Sequence, residues 1–155
     1  MASVGMAAPG WTVPTVSSLG SEGIDVLRLH QAPYNLTGKK ISIGQVEIGR
    51  PGRFGWDKMV QDPKFEVERV FYQDGDAKPN KNVAEHAMMV ASVIKNRDKR
   101  LPGVAPDARL YSSAVGSLSQ IGQPEECLAI QHISKQNGGD IRAINMSFGE
   151  PLARD

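Results

Sequence analysis

The sequence is poor in the features that would commit it early to a class. It has one cysteine, Cys127, so no intrachain disulfide can form. Lying in "EECLAIQHI", a stretch that reads as helix, Cys127 is expected to be a small buried hydrophobe rather than a nucleophile. Three histidines (His30, His86 and His132) stand far apart and no Cys-x-x-Cys occurs, so no set with metal-ligand spacing is present. Net charge is only +1, and lysines and arginines are scattered rather than striped, which gives no electrostatic case for nucleic acid. The densest basic run, "KNRDKR" at 95–100, reads as a solvated helix end. No apolar run approaches the roughly 20 residues that span a bilayer, so no membrane segment is expected. The first residues, "MASVGMAAPGWTVPTVSSLG", lack a basic n-region and a continuous apolar h-region, and so do not read as a signal peptide. The expectation is a cytoplasmic protein of a reducing compartment. Nucleotide-binding signatures are missing too: no GxGxxG follows a strand, and "IGRPGRFG" carries glycines without a helix N-terminus to hold phosphate.

What remains is ordinary globular composition, 40% apolar and 23% charged, on a chain of 155 residues that fits one domain. Residues 1–21, rich in Gly, Pro, Ser and Ala, read as a loose lead-in to a domain spanning 22–155. "EGIDVLRLHQA" (22–32) reads as a short helix ending before Pro33. His30 on it is expected to be a surface or half-buried residue. "KKISIGQVEIGRPG" reads as a strand with loop punctuation on both sides and Glu47 at its C-terminal end. "FEVERVFYQ" (65–73) alternates, with Phe65, Val67, Arg69 and Phe71 opposite Glu66, Glu68, Val70 and Tyr72. It predicts a second strand, more exposed than the first. "DGDAKPNKN" (74–82) reads as a polar loop.

A helix follows. Asn82 is placed to cap it, Glu85 completes a capping-box pair, and His86 falls in the first turn. Ala87, Val90, Ala91 and Ile94 line one face while Met88, Met89 and Val93 cover much of the rest, the pattern of a helix buried nearly all round. "ARLYSSAV" (108–115) predicts a strand. "QPEECLAIQHISKQNGG" (123–139) predicts a helix stopped by Gly-Gly, with His132 in a structural place. "IRAINMSFG" (141–149) predicts a last strand. Strands alternating with helices argue for an α/β fold with a mostly parallel sheet, in which chemistry collects at the carboxyl ends of strands.

A strand-end carboxylate, a histidine opening a helix, and a Ser-Phe-Gly strand end occur in that order. So arranged, the chain resembles the N-terminal part of a subtilisin-like serine protease (a subtilase). "GKKISIGQVEIG" is similar to that family's first-strand motif, with Glu47 at the aspartate position and Gly49 at the glycine. "HAMMVAS" is similar to its histidine helix start, with His86, Val90 and Ala91 in register. "GVAPDARL" and "AINMSFG" resemble two further motifs closely, the second with only leucine changed to Phe148. The resemblance runs from about residue 22 to the end of the sequence.

This resemblance implies a three-layer subtilisin-like fold and a peptide-bond hydrolase acting on polypeptide substrates. It implies His86 as the base that takes a serine proton, Glu47 as the carboxylate that orients it, and Ser147, Phe148 and Gly149 as backbone that binds extended substrate. Calcium is a family ligand by the same resemblance. "YQDGDAKPN" could suit a cation but reads first as an ordinary polar loop, and no stretch is specific enough to name a site. Three departures stand out. Glu47 replaces aspartate. Ala87 replaces the glycine after the histidine, which with Met88 and Met89 suggests a tighter, greasier approach. The family's oxyanion asparagine and nucleophilic serine motifs are not in the sequence. A further segment or another chain is therefore the expected partner, and hydrolysis by this chain alone is not expected. The alternative is a non-catalytic subtilase-derived module for peptide binding or assembly.

Overall fold

In the computed structural model, residues 18–62, 66–72, 75–116 and 122–149 are described. Most of the expected lead-in, together with Phe65, Gln73 and Asp74, lies outside them. The elements are α1 (Val26–His30), β1 (Ser42–Ile48), β2 (Arg69–Tyr72), β3 (Gly75–Asp76), α2 (Glu85–Lys95), β4 (Arg109–Val115), α3 (Glu126–Ser134) and β5 (Ala143–Met146). They form a five-stranded sheet in the order β3-β2-β4-β1-β5. All pairings are parallel except β2 with β3. The expected α/β, mostly parallel architecture is what forms.

Side chains alternate across the strands and build two cores. On one face Val70 and Leu110 pack with Ala91 of α2. On the other Val46, Phe71, Tyr111 and Val115 pack with Ala129 and Ile133 of α3. Helix, sheet and helix thus make three layers. Gly44 lets α3 lie close on β1, because a Cβ there would run into Ile133 Cγ2. The motif "GVA" at 103–105 closes the C-terminal end of α2. The N–H groups of Gly103, Val104 and Ala105 donate to the carbonyls of Asn96, Val93 and Ile94 at 2.7, 2.9 and 2.9 Å. These are carbonyls that a helix end leaves without intrahelical partners.

Several local expectations are corrected. The first helix is Val26–His30, not 22–32, because Asp25 sits in the left-handed region (φ 53) and Ile24 is exposed. Among the described residues the second strand is Arg69–Tyr72, with 66–68 outside it, and it is covered on both faces, since Val70 and Phe71 point into the two separate cores. The loop 74–82 contributes β3, which pairs along the outer edge of β2.

Asn82 does not cap α2. Its φ is 56 and its carbonyl accepts the Arg50 N–H, so the helix begins only at Glu85 with no side-chain cap. Nor is α2 buried all round. A narrow stripe of Ala87, Ala91 and Lys95 faces the sheet, while Met89 and Val93 are 54% and 63% exposed. Lys95, expected in a solvated helix end, is buried. The helix expected over 123–139 is Glu126–Ser134 followed by a short 3₁₀ turn over Gln136–Gly139. Cys127 is exposed rather than buried, because α3 turns Ala129 and Ile133 to the sheet instead.

Candidate active site

The chain leaves β1 for strands on one side of it and returns to the other, as β5. That makes β1 the switch point of the sheet, where α/β proteins bind ligands beyond the carboxyl ends of strands. Glu47 stands near that end of β1. Gln45, two residues earlier and on the same face, donates from Nε2 to the Ala87 carbonyl at 2.8 Å and so ties the first turn of α2 to the strand. His86 is the second residue of α2.

Strand and helix bring their side chains together. His86 Nδ1 is 3.2 Å from Glu47 Oε2, and the Ser147 N–H donates to Glu47 Oε1 at 3.2 Å. Glu47 is 1% exposed, so its carboxylate is a buried group with both oxygens engaged. The extra methylene of glutamate relative to aspartate does not prevent contact with the imidazole. The His86 side chain is 57% exposed. Hydrogen bonding of Nδ1–H to a carboxylate selects one tautomer and leaves a lone pair on Nε2, which is the form a general base needs.

Ser147 follows β5 directly, and its Oγ lies 2.9 Å from Asn145 Oδ1 as a donor. Ser147 and Gly149 are exposed. Phe148 is half-buried and packs on the α3-side core. Ala87 does not crowd the approach to His86: its methyl is fully buried beneath the helix. The two remaining histidines lie elsewhere. His30 Nε2 bonds the Val104 carbonyl at 2.9 Å, and the His132 ring meets Phe71 edge-on while its Nδ1 lies 3.3 Å from Gln123 Nε2.

Sequence reading missed three contributors. The Ser147 N–H as a partner of Glu47 leaves no side-chain signature. Gln45 reads as an ordinary polar residue in a strand. The third is a buried ion pair, Arg50 with Asp57, whose side chains are both fully buried and 2.7 Å apart. Burial pushes the Asp57 carboxyl up. Hydrogen bonds from Arg50, the Arg53 N–H and the Asn80 N–H, with the charge of Arg50, more than reverse this and hold it below the usual carboxylate range. At the far end of α2, burial and the nearby Arg97 charge lower the Lys95 ammonium below its ordinary value, against the opposing pull of Glu68, Glu66 and Asp107.

Among the described residues no group of three His, Cys, Asp or Glu side chains converges on a point that could hold a metal ion. Asp76 pairs with Arg69 at 3.0 Å. Also among the described residues, no helix is long and apolar enough to cross a membrane.

The mostly parallel α/β sheet thus carries a buried carboxylate at its switch point, bonded to a histidine in the first turn of the next helix. Residues 32–155 match the Subtilase family (peptidase S8), and the chain belongs to that family. Two solved structures are similar in part. MycP1 from the ESX-1 type VII secretion system is 23% identical with a TM-score of 0.39, over 62% of this chain and 26% of that one. MycP1 from Mycobacterium smegmatis is 24% identical with a TM-score of 0.39, over 65% of this chain and 24% of that one. The chain thus corresponds to about a quarter of the length of these proteins. The comparison with curated proteins gave no match.

Proposed function

We propose that this chain is the N-terminal portion of a subtilisin-like serine endopeptidase domain. In this reading it supplies the base and its orienting carboxylate, and a further segment supplies the serine and the oxyanion donor. The observation that carries the reading is the contact of Glu47 Oε2 with His86 Nδ1 at the sheet's switch point. The serine hydroxyl gives its proton to His86 Nε2 as its oxygen attacks the peptide carbonyl. The same nitrogen then returns the proton to the leaving amine, while Glu47 stabilises the imidazolium between the two steps. Extended substrate pairs with the backbone at Ser147, Phe148 and Gly149.

A place for the further segment supports the same reading. Between α2 and β5 runs an apolar groove of about 360 Å³, lined by Ile43, Val93, Ile94 and Ala143 among others. A helix bearing the serine would cover it and come up beside His86. The proposed location is cytoplasmic, since an exposed lone thiol suits a reducing compartment better than an oxidising one. The alternative of a non-catalytic binding module drew on Glu47 and Ala87.

The test is to extend the chain with the sequence that follows it in the gene and treat it with a serine-reactive fluorophosphonate. Labelling that is lost in His86→Ala is expected. No labelling of a well-folded extended protein would favour the binding module. The 155-residue chain alone should hydrolyse neither casein nor peptides, and turnover abolished by His86→Ala would show that the nucleophile lies within it.

A further inference from the structure

We infer that Arg50 and Asp57 are positioning residues for the Glu47–His86 pair. This rests on the reading of that pair as base and orienting carboxylate. Arg50 lies three residues after Glu47, and its backbone reaches the segment that leads into α2. The Arg50 N–H donates to the Asn82 carbonyl at 2.9 Å, and the Ala84 N–H donates to the Arg50 carbonyl at 2.8 Å. One residue therefore joins the end of the carboxylate's strand to the residue two before the histidine.

The Arg50 side chain then fixes that joint. A guanidinium has five N–H donors, and all five are used. Nε donates to the Lys81 carbonyl at 2.7 Å. Nη1 donates to Asp57 Oδ2 at 2.7 Å and to the Pro51 carbonyl at 3.1 Å. Nη2 donates to Asp57 Oδ1 at 2.7 Å and to the Lys78 carbonyl at 3.1 Å. Asp57 in turn accepts the Arg53 N–H at 2.7 Å and the Asn80 N–H at 2.6 Å. The Trp56 ring lies 5.1 Å from the guanidinium. Loop 50–58 and loop 78–82 are thereby held as one unit, with Asn80 and Asn82 kept at φ of 58 and 56, a region non-glycine residues enter at a cost.

Apolar residues of like volume often replace a buried ion pair with no loss of stability. Here they would leave the Lys81 carbonyl without its Arg50 donor and the Lys78 carbonyl with only the Lys81 N–H, both in the loop that leads into α2. What the pair supplies is a fixed take-off point for His86.

The test reads His86 without needing a nucleophile. Imidazole ¹⁵N shifts are measured on the 155-residue chain and on Arg50→Met/Asp57→Leu, Asp57→Asn and the control Arg69→Met, which removes an exposed ion pair on the other face. The native chain should hold His86 as the Nδ1–H tautomer. In the double variant the ratio of Nδ1–H to Nε2–H should fall about tenfold, the weight of one charge-assisted hydrogen bond, with a smaller fall in Asp57→Asn and none in Arg69→Met. Either Arg50/Asp57 variant, folded and with the native His86 spectrum, overturns the inference. So does unfolding of both variants near 10 °C, which would make the network a requirement of the fold rather than of the site. A native chain with no Nδ1–H preference would instead overturn the assignment of Glu47 and His86, on which this inference depends. Failed fluorophosphonate labelling of the extended protein would leave the tautomer result standing.

Discussion

Replacing Gly103 with alanine tests the idea that "GVA" is the lid of the histidine helix. An alanine Cβ there would lie 2.6 Å from the Asn96 and Lys95 nitrogens and 2.7 Å from the Ile94 carbonyl carbon. All three atoms are backbone, so no side-chain rotation relieves the clash and the loop must move. Moving it strains or breaks the three hydrogen bonds that residues 103–105 make to α2. At about 0.5–1.5 kcal/mol net for each, the loss is about 1.5–4.5 kcal/mol. Alanine also restricts the unfolded chain and returns about 0.4–1 kcal/mol. The net destabilisation should be about 0.5–4 kcal/mol, centred near 2, and a loss of about 2 kcal/mol in a domain of this size lowers the melting temperature by roughly 4–8 °C. Urea unfolding followed by circular dichroism gives the free energy, and amide exchange locates it: protection at 103–105 should fall first. Gly75→Ala, where an added Cβ meets nothing within 4 Å, is the control and should change stability by no more than about 0.5 kcal/mol. A Gly103→Ala protein as stable as the control would refute the capping argument.

Asp57 has a lowered pKa in the fold, so its stabilisation is present above the unfolded carboxylate value and lost as pH falls through the folded one. Asp57→Asn should cost about 3–5 kcal/mol at neutral pH by leaving Arg50 buried without its counter-charge, and should flatten the acid limb of a stability–pH curve. An unchanged acid limb would contradict this. Lys95 has the opposite sign. Its lowered pKa is a cost that is full below the folded value and relieved as pH rises toward the ordinary lysine value, so Lys95→Met should stabilise the protein near neutrality and gain less at high pH. A destabilised Lys95→Met in urea titrations at pH 7 would show that the ammonium earns its place. Cys127, being exposed, should react fully with a thiol reagent in the native state, and Cys127→Ser should alter stability by no more than about 0.5 kcal/mol. A thiol that reacts only in denaturant would restore the buried reading. The groove and the outer edge of β5, open among the described residues, should make the 155-residue chain prone to association on its own, and a monodisperse, cooperatively melting monomer in sedimentation and calorimetry would count against that.

The order of strands and helices was legible in the sequence because each long element repeats a simple period. "ISIGQVEI" and "RLYSSAV" are bounded by turn residues, and their parallel pairing follows from the helices between them. Glu47 and His86 were legible as candidates from their places at a strand end and a helix start. Elements shorter than their pattern were misread for a physical reason in each case. At Asn82, the backbone bridge to Arg50 outcompeted a helix cap that looked sound in isolation. At Val93 and Met89, apolar residues that suggested burial lie exposed, because small alanines take the face toward the sheet. Arg50, Asp57 and Lys95 escaped notice because burial of a charge has no period. It depends on which carbonyls converge in space, and those at 78 and 81 come from a loop that reads as merely polar.

The sheet's order has a consequence for synthesis. β1 is made first and pairs on one side with β4, but its other side waits for β5, where Ile43 meets Ala143. At roughly 5–20 residues per second, the chain emerges for about 5–20 s between those two residues, with one edge of its first strand open throughout. The same interval separates Glu47 from Ser147, whose N–H holds one of its oxygens. The carboxylate therefore gains its full set of partners only when the last described strand has docked, so the histidine's surroundings are completed late, after most of the sheet has formed.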